Sequence, residues 1–229
     1  MNVAIIVAGG SGTRMGSPTD KLFLEIAGRP LIAHTWERFA RCPAIDEIVL
    51  VVRSGMADTF TQLAKTYEFT KPFRFATGGK ERQDSVWNGL EAIPAATEIV
   101  LIHDAARPCT TDRLITETIR LAREGGAAVA GRRITDTVKE SEDGERVART
   151  LDRSRLWTVQ TPQTFRIEVI RGALSALREA GRIVTDDTAA CELIGLPVRL
   201  VESHEPNPKL TRPEDIPYLE FLLSHRASS

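Results

Sequence analysis

Short runs of consecutive apolar residues alternate along this chain with segments in which apolar residues recur every three or four positions. The run at residues 2–8 leads directly into glycines, and residues 45–52 and 98–103 form similar runs. Continuous apolar runs of this length are typical of parallel strands buried on both faces. The alternation predicts an α/β fold, a parallel sheet with helices on both faces. Helices are predicted over residues 30–42, 56–67, 82–93, 111–124, 166–180, 187–194 and 213–223, and further short strands over 73–76, 127–130 and 197–201.

The alternation breaks over residues 132–153, where the pattern predicts a β-hairpin. Residues 137–139 and 146–149 flank a turn that contains Asp143 and Gly144. Asp-Gly between alternating segments is a strong hairpin signal. Because an isolated hairpin is only marginally stable in water, this arm is predicted to pack on a second subunit.

Composition narrows the classes of function. The length of 229 residues suits one large domain or a domain with a small appendage, and 42% hydrophobic and 27% charged residues suit a globular protein with a core. A net charge of −1 disfavours a broad surface for nucleic acid or an anionic membrane. No signal-peptide pattern or membrane-length apolar run is found, so a cytoplasmic protein is expected. The three scattered cysteines are expected to be free and buried.

A glycine-rich segment after the first predicted strand is the first candidate site. Gly9, Gly10 and Gly12 would let backbone N–H groups approach phosphate oxygens, and Arg14 and Lys21 add two cations. The segment lacks the Gly-Lys-Ser/Thr ending of a P-loop and the third small residue of a dinucleotide fingerprint. A polyphosphate site is one interpretation, and a tight turn with solvated charges is the other.

A second candidate is Asp104, just beyond the predicted strand 98–103. This position is the carboxyl edge of the sheet, where open α/β folds bind ligands. A carboxylate there suits Mg2+, which prefers hard oxygen ligands, whereas a loop or capping role is the alternative. His103 is interpreted as a packing residue without a catalytic role, and Arg107 as a brace for the loop.

These segments and several others occur in an order that resembles one enzyme family. They are the glycine loop with Arg14 and Lys21, Gly78-Gly79-x-x-Arg82-x-x-Ser85, His103-Asp104-Ala105-Ala106-Arg107-Pro108, Asp136-Thr137, Thr161-Pro162-Gln163 and Asn207-x-Lys209-x-Thr211. Over essentially its whole length the chain resembles the 2-C-methyl-D-erythritol 4-phosphate cytidylyltransferases. The resemblance implies a single nucleotidyltransferase domain over residues 1–229, with a Rossmann-like, mostly parallel sheet. It also implies a homodimer formed through the hairpin arm at about residues 132–153.

The resemblance implies that CMP passes from CTP to the polyol phosphate with release of pyrophosphate, assisted by Mg2+ or another divalent cation. The second pKa of a phosphate monoester is about 6, so this nucleophile is mostly ionised at neutral pH and needs no general base. Catalysis must instead neutralise charge and fix the geometry of two anions. The protein's own cations are therefore the residues of interest.

The family pattern also assigns roles to individual positions. Arg14 and Lys21 match the catalytic pair at the triphosphate, and Asp104 matches the acidic residue near the metal. The nucleotide-binding positions implied are Ala8, Gly9, Gly10, Gly12, Gly79, Arg82, Ser85, Asp104 and Ala105. The positions implied for the polyol phosphate are Arg153, Lys209, Thr137, Thr161 and Asp136, of which Asp136 and Thr137 are expected to reach the neighbour's site.

Two alternative functions, and two positions at which the chain departs from the family pattern, stay open at this point. A ribitol 5-phosphate cytidylyltransferase shares the fold and the glycine loop, and a nucleotide-binding module without catalysis belongs to a different class. Asp20 stands where the family usually has proline, and is expected to pair with Lys21 or Arg14 or to face solvent. Prolines flank Asn207 where many relatives have an acidic residue before the asparagine, which leaves Glu205 as a substitute metal ligand.

Overall fold

The structure is a computed structural model that describes residues 1–10 and 20–226. Its strands are β1 (Asn2–Val7), β2 (Glu25–Ile26), β3 (Arg29–Pro30), β4 (Glu47–Val52), β5 (Phe73–Thr77), β6 (Ile99–Asp104), β7 (Ala127–Arg133), β8 (Lys139–Glu140), β9 (Arg149–Thr150), β10 (Trp157–Arg166) and β11 (Arg199–Glu202). Its α-helices are α1 (Leu31–Arg41), α2 (Ala57–Thr66), α3 (Arg82–Glu91), α4 (Asp112–Gly125), α5 (Ile167–Glu179), α6 (Thr188–Leu193) and α7 (Ile216–Arg226). Single 3-10 turns lie at Lys21–Phe23, Arg153–Arg155 and Pro213–Asp215.

Seven strands form one mixed sheet in the order β11-β7-β10-β6-β1-β4-β5. The four strands β6, β1, β4 and β5 are parallel, and β11 runs parallel to β7. Alternate residues of β1 enter two separate cores, Ala4 and Ile6 on one face and Val3 and Ile5 on the other. Helices α1, α2 and α7 cover the first face, and α3, α5 and α6 cover the second. The α/β fold class and the helices on both faces are therefore confirmed.

Strand β10 is the largest element that the sequence pattern did not predict. It lies between β6 and β7 and runs antiparallel to both, with a register shift between Val159 and Gln163. Pro162 falls inside that shift. Proline normally argues against a central strand because it cannot donate to the ladder, and here the irregular pairing accommodates it.

The hairpin arm is present where the Asp-Gly turn predicted it. Strands β8 and β9 pair antiparallel, and Asp143 Oδ1 accepts hydrogen bonds from the backbone N–H groups of Glu145 at 2.9 Å and Arg146 at 2.8 Å. Gly144 adopts a φ of +77°, which glycine tolerates without strain. Every residue over 141–150 is exposed, so this part of the arm is not buried against its own chain.

Two smaller expectations concern cysteines and membrane spans. Cys42, Cys109 and Cys191 are buried free thiols, as expected. In the part of the chain that the structure describes, no helix is both long enough and apolar enough to cross a membrane.

Candidate active site

The carboxyl ends of β1 and β6 and the turn after β5 open into a cleft of about 430 Å³. This is the edge at which open α/β sheets bind ligands. The described lining comes from residues 7–10, 21–22, 79–82, 104–106, Ser85 and Lys209. A larger groove of about 590 Å³ lies between α4 and β11, and contains Glu205 paired with Arg113 at 3.0 Å. Glu205 is not among the described residues that line the cleft of Asp104, and its role as a substitute metal ligand stays a prediction.

Two glycine segments meet at the end of β4. The N–H of Ala8 donates to Val51 O and the N–H of Gly78 donates to Val52 O, both at 2.8 Å. A Cβ on Gly9 would lie only 3.3 Å from Gly78 Cα, which is closer than most Cβ contacts, so the two backbones approach each other closely here. The start of the glycine-rich segment, residues 8–10, and the Gly78 turn are thus held against one strand end.

The turn before α3 is held by Ser85. The N–H of Gly79 donates to Ser85 Oγ at 3.0 Å, and that hydroxyl donates to Glu81 O at 3.2 Å. A Cβ on Gly79 would lie 2.3 Å from Asp84 Cβ, which excludes any other residue at this position. Gly79, Arg82 and Ser85, predicted as nucleotide-binding residues, therefore lie together on one preformed turn at the cleft.

Asp104 is surrounded by three cations. Its carboxylate lies 2.8 Å from Lys209 Nζ, and 3.5 Å from both Arg82 Nε and Arg107 Nε. Burial favours the neutral acid, but Arg82 and Lys209, with a smaller contribution from Arg107, outweigh it and hold the pKa of Asp104 well below its usual range. The carboxylate is therefore ionised at physiological pH.

Arg82 bridges two carboxylates. Its NH1 atom lies 2.7 Å from Oδ2 of Asp187, whose side chain is 1% exposed. Burial opposes the charge on Arg82, but Asp187 and Asp104 raise the pKa of its guanidinium above the ordinary value. Gln163 fixes Asp187 by accepting its backbone N–H at 2.9 Å. The neighbouring Asp186 caps the beginning of α6, because its Oδ1 accepts the N–H of Ala189 at 3.0 Å.

A hydrogen-bond chain connects His103 to the backbone of Asp104. Burial lowers the pKa of His103 to about 4, so the ring is neutral at pH 7. Its Nε2–H donates to Arg107 O at 3.0 Å, which leaves Nδ1 as the acceptor for the Thr161 hydroxyl at 3.1 Å. Thr161 Oγ1 in turn accepts the N–H of Asp104 at 3.1 Å. Thr161 therefore braces Asp104, and its contact with a polyol phosphate stays a prediction.

Arg107 braces the loop as predicted, by connecting it to the segment that carries Lys209. Its NH1 donates to Asn207 O at 2.8 Å, and Asn207 Nδ2 donates to Thr161 O at 2.9 Å. This segment also contacts Lys21, whose Nζ donates to Leu210 O at 3.0 Å. Lysines from the two ends of the chain consequently line the same cleft.

Asp20 has a different environment from the one expected. Its Oδ1 accepts the N–H of Leu22 at 3.1 Å, and its Oδ2 forms an ion pair with Arg53. The Asp20 side chain is only 12% exposed, which corrects the expectation that it faces solvent. Asp20 is thus part of the structure around Lys21.

The remaining predicted residues are of two kinds. Gly12 and Arg14 lie outside the described residues. Asp136, Thr137 and Arg153 are exposed on the arm, where Arg153 NH1 donates to Thr135 O, and none of them is among the described residues that line the cleft of their own chain. The assignment of Asp136 and Thr137 to a neighbour's site, and of Arg153 to the polyol phosphate, remains a prediction.

Comparisons with known proteins agree with this geometry. The sequence model of the family "IspD: 2-C-methyl-D-erythritol 4-phosphate cytidylyltransferase" matches residues 2–225. A 2-C-methyl-D-erythritol 4-phosphate cytidylyltransferase of Geobacillus kaustophilus is 44% identical over 223 residues, 97% of either chain, and one of Syntrophus aciditrophicus is 41% identical over 222 residues, 96% of this chain and 95% of its own.

Solved structures show the same likeness. The 4-diphosphocytidyl-2C-methyl-D-erythritol synthase of Anaerococcus prevotii superposes with a TM-score of 0.87 at 31% identity, over 97% of this chain and 96% of its own. The 2-C-methyl-D-erythritol 4-phosphate cytidylyltransferase of Thermus thermophilus gives 0.78 at 30% identity, over 98% of this chain and 100% of its own. Family match, relatives and fold agree over nearly the whole length, and this chain belongs to the IspD family of 2-C-methyl-D-erythritol 4-phosphate cytidylyltransferases.

Proposed function

We propose that this chain transfers CMP from CTP to 2-C-methyl-D-erythritol 4-phosphate, forming 4-diphosphocytidyl-2-C-methyl-D-erythritol and pyrophosphate. The observation that carries the proposal is the convergence of Lys21, Arg82 and Lys209 in a cleft between two glycine turns. Such a site can receive two phosphate-bearing molecules at once. Family membership supplies their identity.

The reaction is an in-line displacement at phosphorus. An oxygen of the polyol phosphate attacks the α-phosphorus of CTP, a P–O bond to it forms, and the bond from the α-phosphorus to the bridging oxygen breaks. Pyrophosphate leaves with the electron pair of that bond. Because the attacking phosphate monoester is already ionised at pH 7, no proton has to be removed. The neutral, fully buried His103 agrees with a site that uses no general base.

The lysines neutralise the reacting anions and fix their geometry. Lys21 stabilises the triphosphate and the charge that develops on the leaving pyrophosphate, and Lys209 positions the attacking phosphate. Arg14, outside the described residues, is the second cation proposed for the triphosphate. Backbone groups of Ala8, Gly9, Gly10, Gly79 and Ala105, with Arg82 and Ser85, hold the nucleotide, with Gly12 proposed beside them.

Mg2+ fits Asp104 as a single protein ligand. This carboxylate is ionised, and Mg2+ in phosphate-transfer sites is commonly held by one or two carboxylates together with substrate phosphates. Residues 1–10 and 20–226 contain no cluster of three or more His, Cys, Asp or Glu that could hold the ion without substrate. When bound, the ion would supply charge neutralisation to the triphosphate. Asp104 would hold it, and Lys209 would leave Asp104 for the attacking phosphate.

The exposed arm supports a homodimer. A two-stranded hairpin is marginal in water without a packing partner, and Val147 at its tip is 62% exposed. Val159, in β10 after the arm, and Leu200, in the edge strand β11, are 41% and 45% exposed. In this proposal the arm packs on a second copy and brings Asp136, Thr137 and Arg153 to its site. Light scattering at micromolar concentration should give a dimer mass, and a monomer would contradict the proposal.

The choice of polyol is tested by parallel assays. The purified chain, CTP and Mg2+ are incubated with methylerythritol phosphate or with ribitol 5-phosphate, and products are identified by mass spectrometry. We expect the cytidyl diphosphate of methylerythritol, formed with a much higher kcat/KM. A preference for ribitol phosphate would reassign the substrate, and nucleotide binding without product would favour the inactive module.

A further inference from the structure

Three successive residues at the end of β4 anchor three segments of the cleft. Val51 and Val52 accept backbone hydrogen bonds from the glycine loop and from the Gly78 turn. Arg53, the next residue, contacts a third segment through its guanidinium, which pairs with Asp20. The third segment is the turn that carries Lys21.

Asp20 fixes the beginning of this turn with both of its carboxylate oxygens. Oδ1 caps it by accepting the N–H of Leu22 at 3.1 Å, while Oδ2 is held by Arg53. The turn spans only Lys21–Phe23, and one turn of 3-10 helix has little stability of its own. Leu22, 3% exposed, inserts into the core, and Phe23 packs edge-to-face on Phe60 with ring centroids 5.5 Å apart, so apolar contacts hold the end of the turn while Asp20 holds its beginning.

The rotation of the turn determines where Lys21 points. Lys21 Nζ donates to Leu210 O at 3.0 Å, beside Lys209 and its partner Asp104. Asp20, directly before Lys21, is the residue whose side chain is fixed to the sheet. A change in the Asp20–Arg53 contact would therefore be transmitted to the lysine.

We propose that the Asp20–Arg53 ion pair is a positioning device that orients Lys21 toward the triphosphate. The inference rests on the proposed function, because it assumes the role of Lys21 given there. The pair is partly exposed, with 39% of the Arg53 side chain and 12% of the Asp20 side chain accessible. Ion pairs of this kind contribute little to global stability, so the effect falls on orientation and hence on rate.

The test separates the ion pair from the cap. Asp20→Asn keeps a good N-cap oxygen but removes the charge, and Arg53→Gln removes the opposite charge. Each variant should lower kcat about tenfold with saturating CTP and methylerythritol phosphate, as expected for a misplaced catalytic group. The KM for the polyol phosphate should stay unchanged. The double variant should be no slower than either single variant, because all three lose the same contact.

A matched control lies at the other end of the same strand. Arg74 pairs with Glu47, the first residue of β4, and the exposed fractions of the two side chains are 46% and 9%, close to those of the Arg53–Asp20 pair. Arg74→Gln should shift the thermal midpoint as much as Arg53→Gln does, but leave kcat at the wild-type value.

Three results would overturn the inference. The first is wild-type kcat in both single variants, and the second is an equal loss of kcat in Arg74→Gln, which would indicate a general structural effect. The third is losses that multiply in the double variant, which would exclude a shared contact. An inactive wild-type chain would overturn the proposed function and this inference together, whereas an active wild type with unaffected variants overturns the inference alone.

Discussion

Lys209 Nζ lies 2.8 Å from Asp104 Oδ2, although the two residues are 105 positions apart in the sequence. The contact brings the segment after β11 to the carboxyl end of β6, in the middle of the sheet. Lys21, from the beginning of the chain, donates to Leu210 O next to it. Cations from opposite ends of the chain therefore share one site.

Lys21→Ala should abolish most catalysis without unfolding the protein. Removing a preorganised charged donor commonly lowers the rate about 10²–10³-fold, because the charge of the transition state loses its partner. Steady-state pyrophosphate release measures kcat, and circular dichroism checks the fold. Lys65→Ala, on the exposed side of α2, is the control. Near-normal turnover of Lys21→Ala would refute its role.

Lys209→Ala should mainly raise the KM for the polyol phosphate. The lost ammonium group is the one proposed to position the incoming phosphate, so binding of that substrate weakens first. Initial rates over a matrix of both substrate concentrations separate the two KM values. If only the KM for CTP changed, the proposed division of the cleft between the two substrates would be wrong.

Asp187→Asn should destabilise the fold by roughly 3 kcal/mol, because Arg82 loses the buried half of its ion pair. Urea unfolding measures the change. The comparison variant is Glu205→Gln, whose exposed pair with Arg113 should be worth less than about 1 kcal/mol. Equal midpoints for the two variants would show that Asp187 does not hold Arg82. The KM for CTP should rise only in Asp187→Asn.

His103 should make stability depend on pH in the acidic range. Its pKa is about 4 in the folded protein and 6.5 as the unperturbed value, so the unfolded chain binds the proton more readily between these values. Stability is therefore lost as pH falls from 6.5 toward 4, by about 3 kcal/mol in total. Urea unfolding of His103→Asn should show a smaller loss over this range, with the exposed His204→Asn as control. If His103→Asn lost as much stability between pH 6.5 and pH 4 as the wild type, the assignment of this pH dependence to His103 would be contradicted.

The parts of the fold that the sequence predicted are those with a local signal. The buried strands are continuous apolar runs, and the arm contains an Asp-Gly turn, so both appear in a short window of sequence. Strand β10 lacks such a signal, because Pro162 interrupts it and polar residues such as Thr161 and Gln163 are buried through hydrogen bonds. Its position between β6 and β7 is a property of the assembled sheet.

The same distinction applies to the site. Asp104 and the glycines could be predicted because each follows a buried strand or forms a turn. The counter-ion of Arg82 could not be predicted, because Asp187 lies 105 positions away in the sequence. It also directly follows Asp186, which caps a helix. The pair between Asp20 and Arg53 could not be predicted either, since the two residues are 33 positions apart. Charge pairs between distant segments become visible only when the sheet brings the segments together.

The most direct test of the account is pyrophosphate release by the purified chain with CTP and Mg2+, with and without methylerythritol phosphate. The account predicts pyrophosphate release only when the polyol phosphate is present, and a higher rate with CTP than with UTP, ATP or GTP. In Lys21→Ala the rate should fall at least a hundredfold, about the loss expected when a preorganised charged donor is removed. Release without the acceptor, or undiminished release by the lysine variant, would contradict the claim that these cations bring one anion to attack another.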